Sequence, residues 1–157
     1  MIPTRKHSPL SILILLAVLF WALAFGVLTS CGASYSDEEL LAAVLIAEAG
    51  GEGEVGIRAV YEVIQNRVIE RDLTPAQVVR QRFQFSCLNN TNEAALVARA
   101  STHLRWGFAL RTVREGWAGD LVRGATHYHT SDLNPRPFWS RGVEPVVTIG
   151  NHHFFKL

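Results

Sequence analysis

Between Lys6 and Asp37 the chain carries no Asp, Glu, Lys or Arg, and Leu10–Leu28 is an almost unbroken apolar run. A helix with no polar face has to be buried or lie in a membrane. Arg5 and Lys6 stand before the run, and the small residues Thr29 and Ser30 follow it. A basic start, an apolar middle and small residues before a cut describe a secretory signal. The run's nineteen residues would also span a bilayer, which takes roughly 17–25, so an uncleaved anchor is the alternative. In both cases the rest of the chain leaves the cytoplasm, with Arg5 and Lys6 staying inside.

The same run colours the composition of the whole. The chain has 157 residues, 48% of them hydrophobic, with net charge +1 and mean hydropathy +0.14. Without Arg5 and Lys6, 13 basic residues face 14 acidic ones, a net charge of −1. A nucleic-acid binder, which depends on a positive field, is thereby excluded. Extended disorder is excluded too, since it needs low hydrophobicity and high net charge. The length suits one domain. Residues 1–31 read as the signal or anchor and residues 36–157 as a single exported domain, expected to act as a monomer.

Leu28-Thr29-Ser30-Cys31 resembles a bacterial lipobox. The resemblance implies that Cys31 becomes the lipidated first residue of a membrane-attached mature protein in the cell envelope or periplasm. Cys87 is the only other cysteine, so no disulfide framework is expected, although a bridge between the two stays open. Two cysteines do not make a cysteine-based zinc site.

Within the exported part, Ser36-Asp37-Glu38-Glu39 reads as a capping box that opens a helix. Leu40, Leu41, Val44 and Leu45 fall on one face of that helix, and Gly50-Gly51 should stop it. A second helix is predicted over 54–70, with Ile57, Val60, Tyr61, Ile64 and Val68 as its inner stripe. Thr74-Pro75-Ala76-Gln77 is another capping box, with proline at the first helical position, and opens a short helix ending near Gln81. A fourth helix is predicted from Glu93 to about Phe108 and a fifth over 111–117. Beyond Gly124 the pattern turns extended: a strand within 125–130, then a hairpin from 146–149 and 153–155. The class is α+β, mostly helical, with a small β element near the C-terminus.

Glu48 ends the first helix seven residues after Leu41 and four after Val44, on or beside the apolar face. Apolar packing disfavours the charged form of a carboxyl, and a general acid has to arrive protonated. The following Ala49-Gly50-Gly51 leaves little bulk beside it, so a polymer could approach. The other reading is a helix-end Glu bonded to a neighbour. Glu52 either bonds backbone groups near the glycine turn, or Arg67, or joins the site. Asn66 and Arg67 suit a buried polar clamp or a substrate contact. Gln84 and Ser86 suit a cleft lining or a turn. Tyr128 and Trp139 offer flat apolar rings with a polar handle, for a sugar face or for the core. His127 and His129 share one face of a strand. With His152 and His153 they invite a metal, but no H-E-x-x-H motif accompanies them, and no cofactor is expected.

Several blocks carry a family resemblance. Glu48-Ala49-Gly50-Gly51-Glu52 fits the E-A-x-G-E motif of the SleB-type cell wall hydrolases, the spore cortex-lytic enzyme family. Gln65-Asn66-Arg67-Val68 is similar to that family's N-R-V segment, and Phe83-Gln84-Phe85-Ser86 to its Q-F-S segment. Gly124-Ala125-Thr126-His127-Tyr128-His129 resembles its second block. Pro137-Phe138-Trp139 and Ile149-Gly150-Asn151-His152-His153-Phe154 resemble its closing block. Together they run in order over about residues 38 to 156.

The resemblance implies a lysozyme-like fold and cleavage of peptidoglycan between N-acetylmuramic acid and N-acetylglucosamine. It implies Glu48 as catalytic acid, then base, with Glu52, Gln84, Ser86, Tyr128, His129, Trp139 and His152 around the substrate. No second catalytic acid stands out, which favours a lytic transglycosylase over a two-carboxylate hydrolase. Two other functions stay open. One is a zinc-dependent amidase working through the histidines, and the other is a non-catalytic murein-binding lipoprotein. No peptidoglycan-binding repeat precedes the domain, so targeting is expected from the membrane attachment or a partner. A role in sporulation does not follow.

Overall fold

The computed structural model describes residues 34–157, and the export segment with Cys31 lies outside them. Helix α1 (Asp37–Ala49) opens on the expected capping box. Ser36 Oγ accepts from the Glu39 N–H at 3.2 Å, and the Glu39 carboxylate accepts from the Ser36 N–H at 2.8 Å. The apolar face is wider than its spacing predicts, because every residue from Leu40 to Ile46 is buried. That stretch is apolar without a break, so no side of it can face water. Helix α1 is therefore the axle of the helical part, and the later helices pack around it.

Gly50–Glu52 forms a 3-10 turn, and α2 (Gly53–Arg71) follows, a residue longer at each end than predicted. The second capping box is also present: Thr74 Oγ1 and the Gln77 side chain trade bonds with each other's backbone N–H groups at 3.2 and 2.8 Å. It opens α3 (Pro75–Arg80). A one-turn helix, α4 (Ser86–Asn89), was not anticipated.

The predicted fourth helix is two helices, α5 (Glu93–Ala100) and α6 (Trp106–Glu115), so the predicted fifth starts five residues earlier than expected. At the break the Ser101 and Thr102 hydroxyls donate to the carbonyls of Ala98 and Arg99, both at 2.9 Å. Hydroxyls that bond the preceding turn compete with the helix's own N–H groups. Arg105 Nη1 then donates to the Gly50 carbonyl at 3.0 Å and ties the break to the end of α1.

The extended region is a three-stranded antiparallel sheet, β1 (His127–Thr130), β2 (Val147–Ile149) and β3 (His152–Phe155), in the order β1-β3-β2. The predicted hairpin is β2–β3, and β1 adds to it with Tyr128 opposite Phe154 and His129 opposite His153.

Helix α2 divides the interior. Ile57, Val60, Tyr61 and Ile64 join α1 in the larger core, while Ala59 and Val63 join Val122, Ala125 and Phe154 in a smaller core under the sheet. Three of its polar side chains hold the sheet side in place. Asn66 Nδ2 donates to the Ala125 carbonyl at 2.8 Å, and Arg67 Nε to the Thr126 carbonyl at 2.6 Å. The buried Glu62 carboxylate accepts from Trp117 Nε1 at 2.5 Å and from the Val122 N–H at 3.0 Å. Helix α2 thus sets where β1 lies relative to the end of α1.

Candidate active site

The last turn of α1 and the start of β1 meet at one bond: the Tyr128 hydroxyl donates to Glu48 Oε2 at 2.9 Å. Glu48 is half-buried, and its other oxygen, Oε1, is buried with no hydrogen-bond partner among the described residues. The carboxyl opens onto a cavity of about 380 Å³. The α4 side supplies Phe83, Gln84, Ser86 and Asn89, and the sheet side supplies Tyr128, His129, Thr130 and His152, with Trp139 from the loop beyond β1. Six of the seven residues expected around the substrate therefore surround Glu48: Gln84, Ser86, Tyr128, His129, Trp139 and His152.

Glu52 is not among the residues lining this cavity and takes the backbone-bonding place near the glycine turn, the other of its two expected roles. Its Oε2 accepts from the Asn151 N–H at 2.9 Å and joins the glycine turn to the β2–β3 turn. Gly150 stands so close to that carboxylate that any Cβ there would collide with it, and its φ of +56° suits glycine in any case. The glycine turn after Glu48 is open only in part. A Cβ on Gly51 would meet nothing, whereas one on Gly50 would press on the His103 ring at 3.2 Å.

Burial and charge set the protonation of the groups near Glu48. Burial, then the Glu48 charge and hydrogen bond, raise the Tyr128 phenol well above its usual range, so it remains a donor. Burial and then the Glu48 carboxylate push the Cys87 thiol up to about 12, so it too stays protonated. Cys87 sits in α4, and sequence reasoning left it as an unassigned thiol. Burial lowers His152, whose ring stands edge-on to Tyr128 at 5.3 Å. Burial, then Arg67, lowers His127. The guanidinium of Arg67 is itself buried over the Phe85 ring at 5.4 Å.

The four histidines are each engaged locally. His127 and His129 do share a face, and both rings lie against Trp139, at 5.1 and 5.8 Å. His129 Nδ1 is 2.8 Å from the Thr130 carbonyl, so that nitrogen carries the proton and donates. Its Nε2 is buried and unpartnered among the described residues. His153 Nδ1 is 2.8 Å from Thr148 Oγ1. Among the described residues no group of three or more His, Cys, Asp or Glu is placed to hold a metal ion. Tyr128 packs on Phe154 and His152, and Trp139 on His127, His129 and Phe155. Phe83, quoted beside the Q-F-S segment but not expected around the substrate, reaches the same cavity and is 74% exposed.

Comparison with known proteins agrees with this architecture. The solved catalytic domain of the germination-specific lytic transglycosylase SleB from Bacillus anthracis superposes with a TM-score of 0.57 at 24% identity, over 79% of this chain and 98% of that one. The likeness establishes the lysozyme-like α+β fold. No curated protein sequence matches the chain. The family model described as Cell Wall Hydrolase matches residues 51–155, opening three residues after Glu48 and taking in the clamp of α2, the α4 side of the cavity and the whole sheet. With two-thirds of its length under that model, the chain belongs to the Cell Wall Hydrolase family.

Proposed function

We propose that this chain cleaves peptidoglycan glycan strands between N-acetylmuramic acid and N-acetylglucosamine, as a lytic transglycosylase with Glu48 as its acid and base. The observation that carries the reading is that Glu48 is the one carboxyl among the residues lining the cavity. One of its oxygens is held by Tyr128, and the other has no hydrogen-bond partner among the described residues. Two-carboxylate glycosidases hold their pair roughly 5–9.5 Å apart across the scissile bond. Glu52, the nearest acid in sequence, is turned to the Asn151 N–H instead.

One carboxyl suffices when the sugar supplies its own nucleophile. Glu48 gives its proton to the glycosidic oxygen as the C1–O bond breaks, and an oxocarbenium-like centre forms. The C6 hydroxyl of the same sugar then attacks C1 and returns its proton to the Glu48 carboxylate. The product is a 1,6-anhydro end, and Glu48 is restored. The Tyr128 hydroxyl, aimed at Oε2, strengthens its bond as the negative charge develops.

The test is digestion of isolated murein sacculi, with the released fragments analysed by mass spectrometry. Anhydro-muropeptides from wild type and none from Glu48→Gln are expected, and equal release by the two refutes the assignment. Envelope attachment through residues 1–31, with Cys31 lipidated, is part of the same proposal. Incorporation of a labelled fatty acid, lost in Cys31→Ala, is the expected result there. Label retained in Cys31→Ala would remove the lipidation.

A further inference from the structure

Phe83 is a bulky residue at φ +64°, in the left-handed region, and it is 74% exposed at the cavity that holds Glu48. Both properties cost free energy: the backbone through the clash of Cβ with its own peptide, the ring through apolar area left in water. Strain of this kind persists only where the surroundings over-determine it, and here they do. On one side Arg71 Nη1 donates to Gln81 Oε1 at 2.5 Å and to Gln84 Oε1 at 3.2 Å. On the other, Phe85 is buried in the main core. The Gln84 N–H closes the turn on the Gln81 carbonyl at 3.2 Å. Four anchors thus fix a turn whose tip is an unburied phenyl ring.

The other aromatic rings of the cavity are already in use. Tyr128 is committed to Glu48, Phe154 and His152, and Trp139 to His127, His129 and Phe155. Leu133, 43% exposed, adds apolar surface from the sheet side. The Arg82 guanidinium lies 4.9 Å from the Phe83 centroid, and the ring is still largely open. Pro137 also lines the cavity, and its polar lining groups, among them Gln84, Ser86, Asn89 and Thr130, suit hydroxyls and amides. Among the phenyl, phenol and indole rings of the lining Phe83 is the most exposed, and it offers a flat apolar surface to the C–H face of a pyranose.

We propose that Phe83 is the sugar-stacking platform of the cleft, held in a strained turn so that its ring meets the C–H face of a pyranose in the glycan strand. The assignment rests on the glycan-cleaving function proposed above and names the residue that grips the chain. Phe83 binds substrate and takes no part in proton transfer.

The strain makes the test selective. Phe83→Ala removes the ring and keeps the strained backbone, Phe83→Gly removes both, Phe83→Leu keeps apolar bulk without a flat face, and Phe83→Trp keeps the face. Each is made in the full chain in a Glu48→Gln background, and binding to isolated sacculi is measured by co-sedimentation. Roughly 2- to 10-fold weaker binding is expected for Ala, Gly and Leu, the range of one aromatic stacking contact, with Trp at wild-type affinity or tighter. Thermal melting should show Phe83→Gly at least as stable as the parent, because the left-handed backbone is natural to glycine. With Glu48 intact, KM for muropeptide release should rise more than kcat falls. Wild-type binding by both Phe83→Ala and Phe83→Gly overturns the platform, as does a Phe83→Gly melting point that drops along with binding. If the wild-type chain releases no anhydro-muropeptides, the function fails instead, and co-sedimentation still decides whether Phe83 grips the strand.

Discussion

Tyr128→Phe is the most informative single change, because it removes one oxygen from the contact on which the mechanism depends. The Tyr128 hydroxyl lies 2.9 Å from Glu48 Oε2. A hydrogen bond to a neutral acceptor contributes about 0.5–1.5 kcal/mol and one to a charged acceptor about 1.5–3 kcal/mol. The bond exists both before and after Glu48 gives up its proton, so only the difference lowers the barrier. That difference is about 1–1.5 kcal/mol, or roughly tenfold in rate. The phenol is raised well above its usual range, first by burial, so it does not titrate near neutral pH and the effect should be uniform there. The phenyl ring keeps its packing on Phe154 at 5.7 Å and His152 at 5.3 Å, so the fold should survive. Anhydro-muropeptide release from sacculi should fall about tenfold, with melting changed by only a few degrees. Wild-type turnover by Tyr128→Phe would refute the reasoning. So would a loss as complete as that of Glu48→Gln, which would give Tyr128 the proton itself.

Three further outcomes follow from the burial around the site. Cys87, pushed up to about 12, is almost entirely thiol at pH 8. Alkylation by iodoacetamide in the native protein should be at least about 100-fold slower than in urea, by mass spectrometry; rapid native labelling would contradict the placement. Glu62→Ala strips two donors, Trp117 Nε1 and the Val122 N–H, of their acceptor, at about 1–3 kcal/mol each. Melting should drop by about 10 °C or more, and an unchanged midpoint would dismiss the carboxylate as a structural pin. His127 and His152 are both lowered by burial. Between their lowered values and the ordinary value of about 6.5 the unfolded chain binds more protons than the folded one, so stability present above pH 6.5 is lost as pH falls. The midpoint should decline from pH 7 to pH 5, less steeply in the His127→Asn/His152→Asn double variant. Equal slopes would remove the two histidines from the acid response.

Legibility in the sequence followed range. Capping boxes involve side chains bonding backbone three residues away, so Ser36–Glu39 and Thr74–Gln77 were readable and stand in the structure as predicted. The glycine stop after Glu48 and the β2–β3 turn at Gly150 are local in the same way. The break between α5 and α6 was not readable, because helical spacing continues through it. What stops the helix is hydroxyl back-bonding at Ser101 and Thr102, with Arg105 held by Gly50 from 55 residues away. The periodicity of α1 predicts a stripe where the fold buries every side, since spacing marks a face but not how many neighbours cover it.

The candidate site divides along the same line. Its residue types and order carry the resemblance to the family, and through that resemblance they put Glu48 forward as the proposed acid. Which groups surround that carboxyl was decided elsewhere. Tyr128 reaches Glu48 across 80 residues only because Asn66 and Arg67 fix the carbonyls just before β1. Glu52, directly after the Gly50-Gly51 stop, is drawn away by a backbone N–H 99 residues off. Neither Cys87 nor Phe83 was expected at the site; one becomes a half-buried neighbour of Glu48 and the other an open ring at the cleft. Amino-acid order alone determined the capped helices and the glycine stop, each set by atoms a few residues apart. Tertiary structure decided which side chains surround Glu48, since burial and long-range hydrogen bonds exist only once α1, α2 and the sheet have packed together.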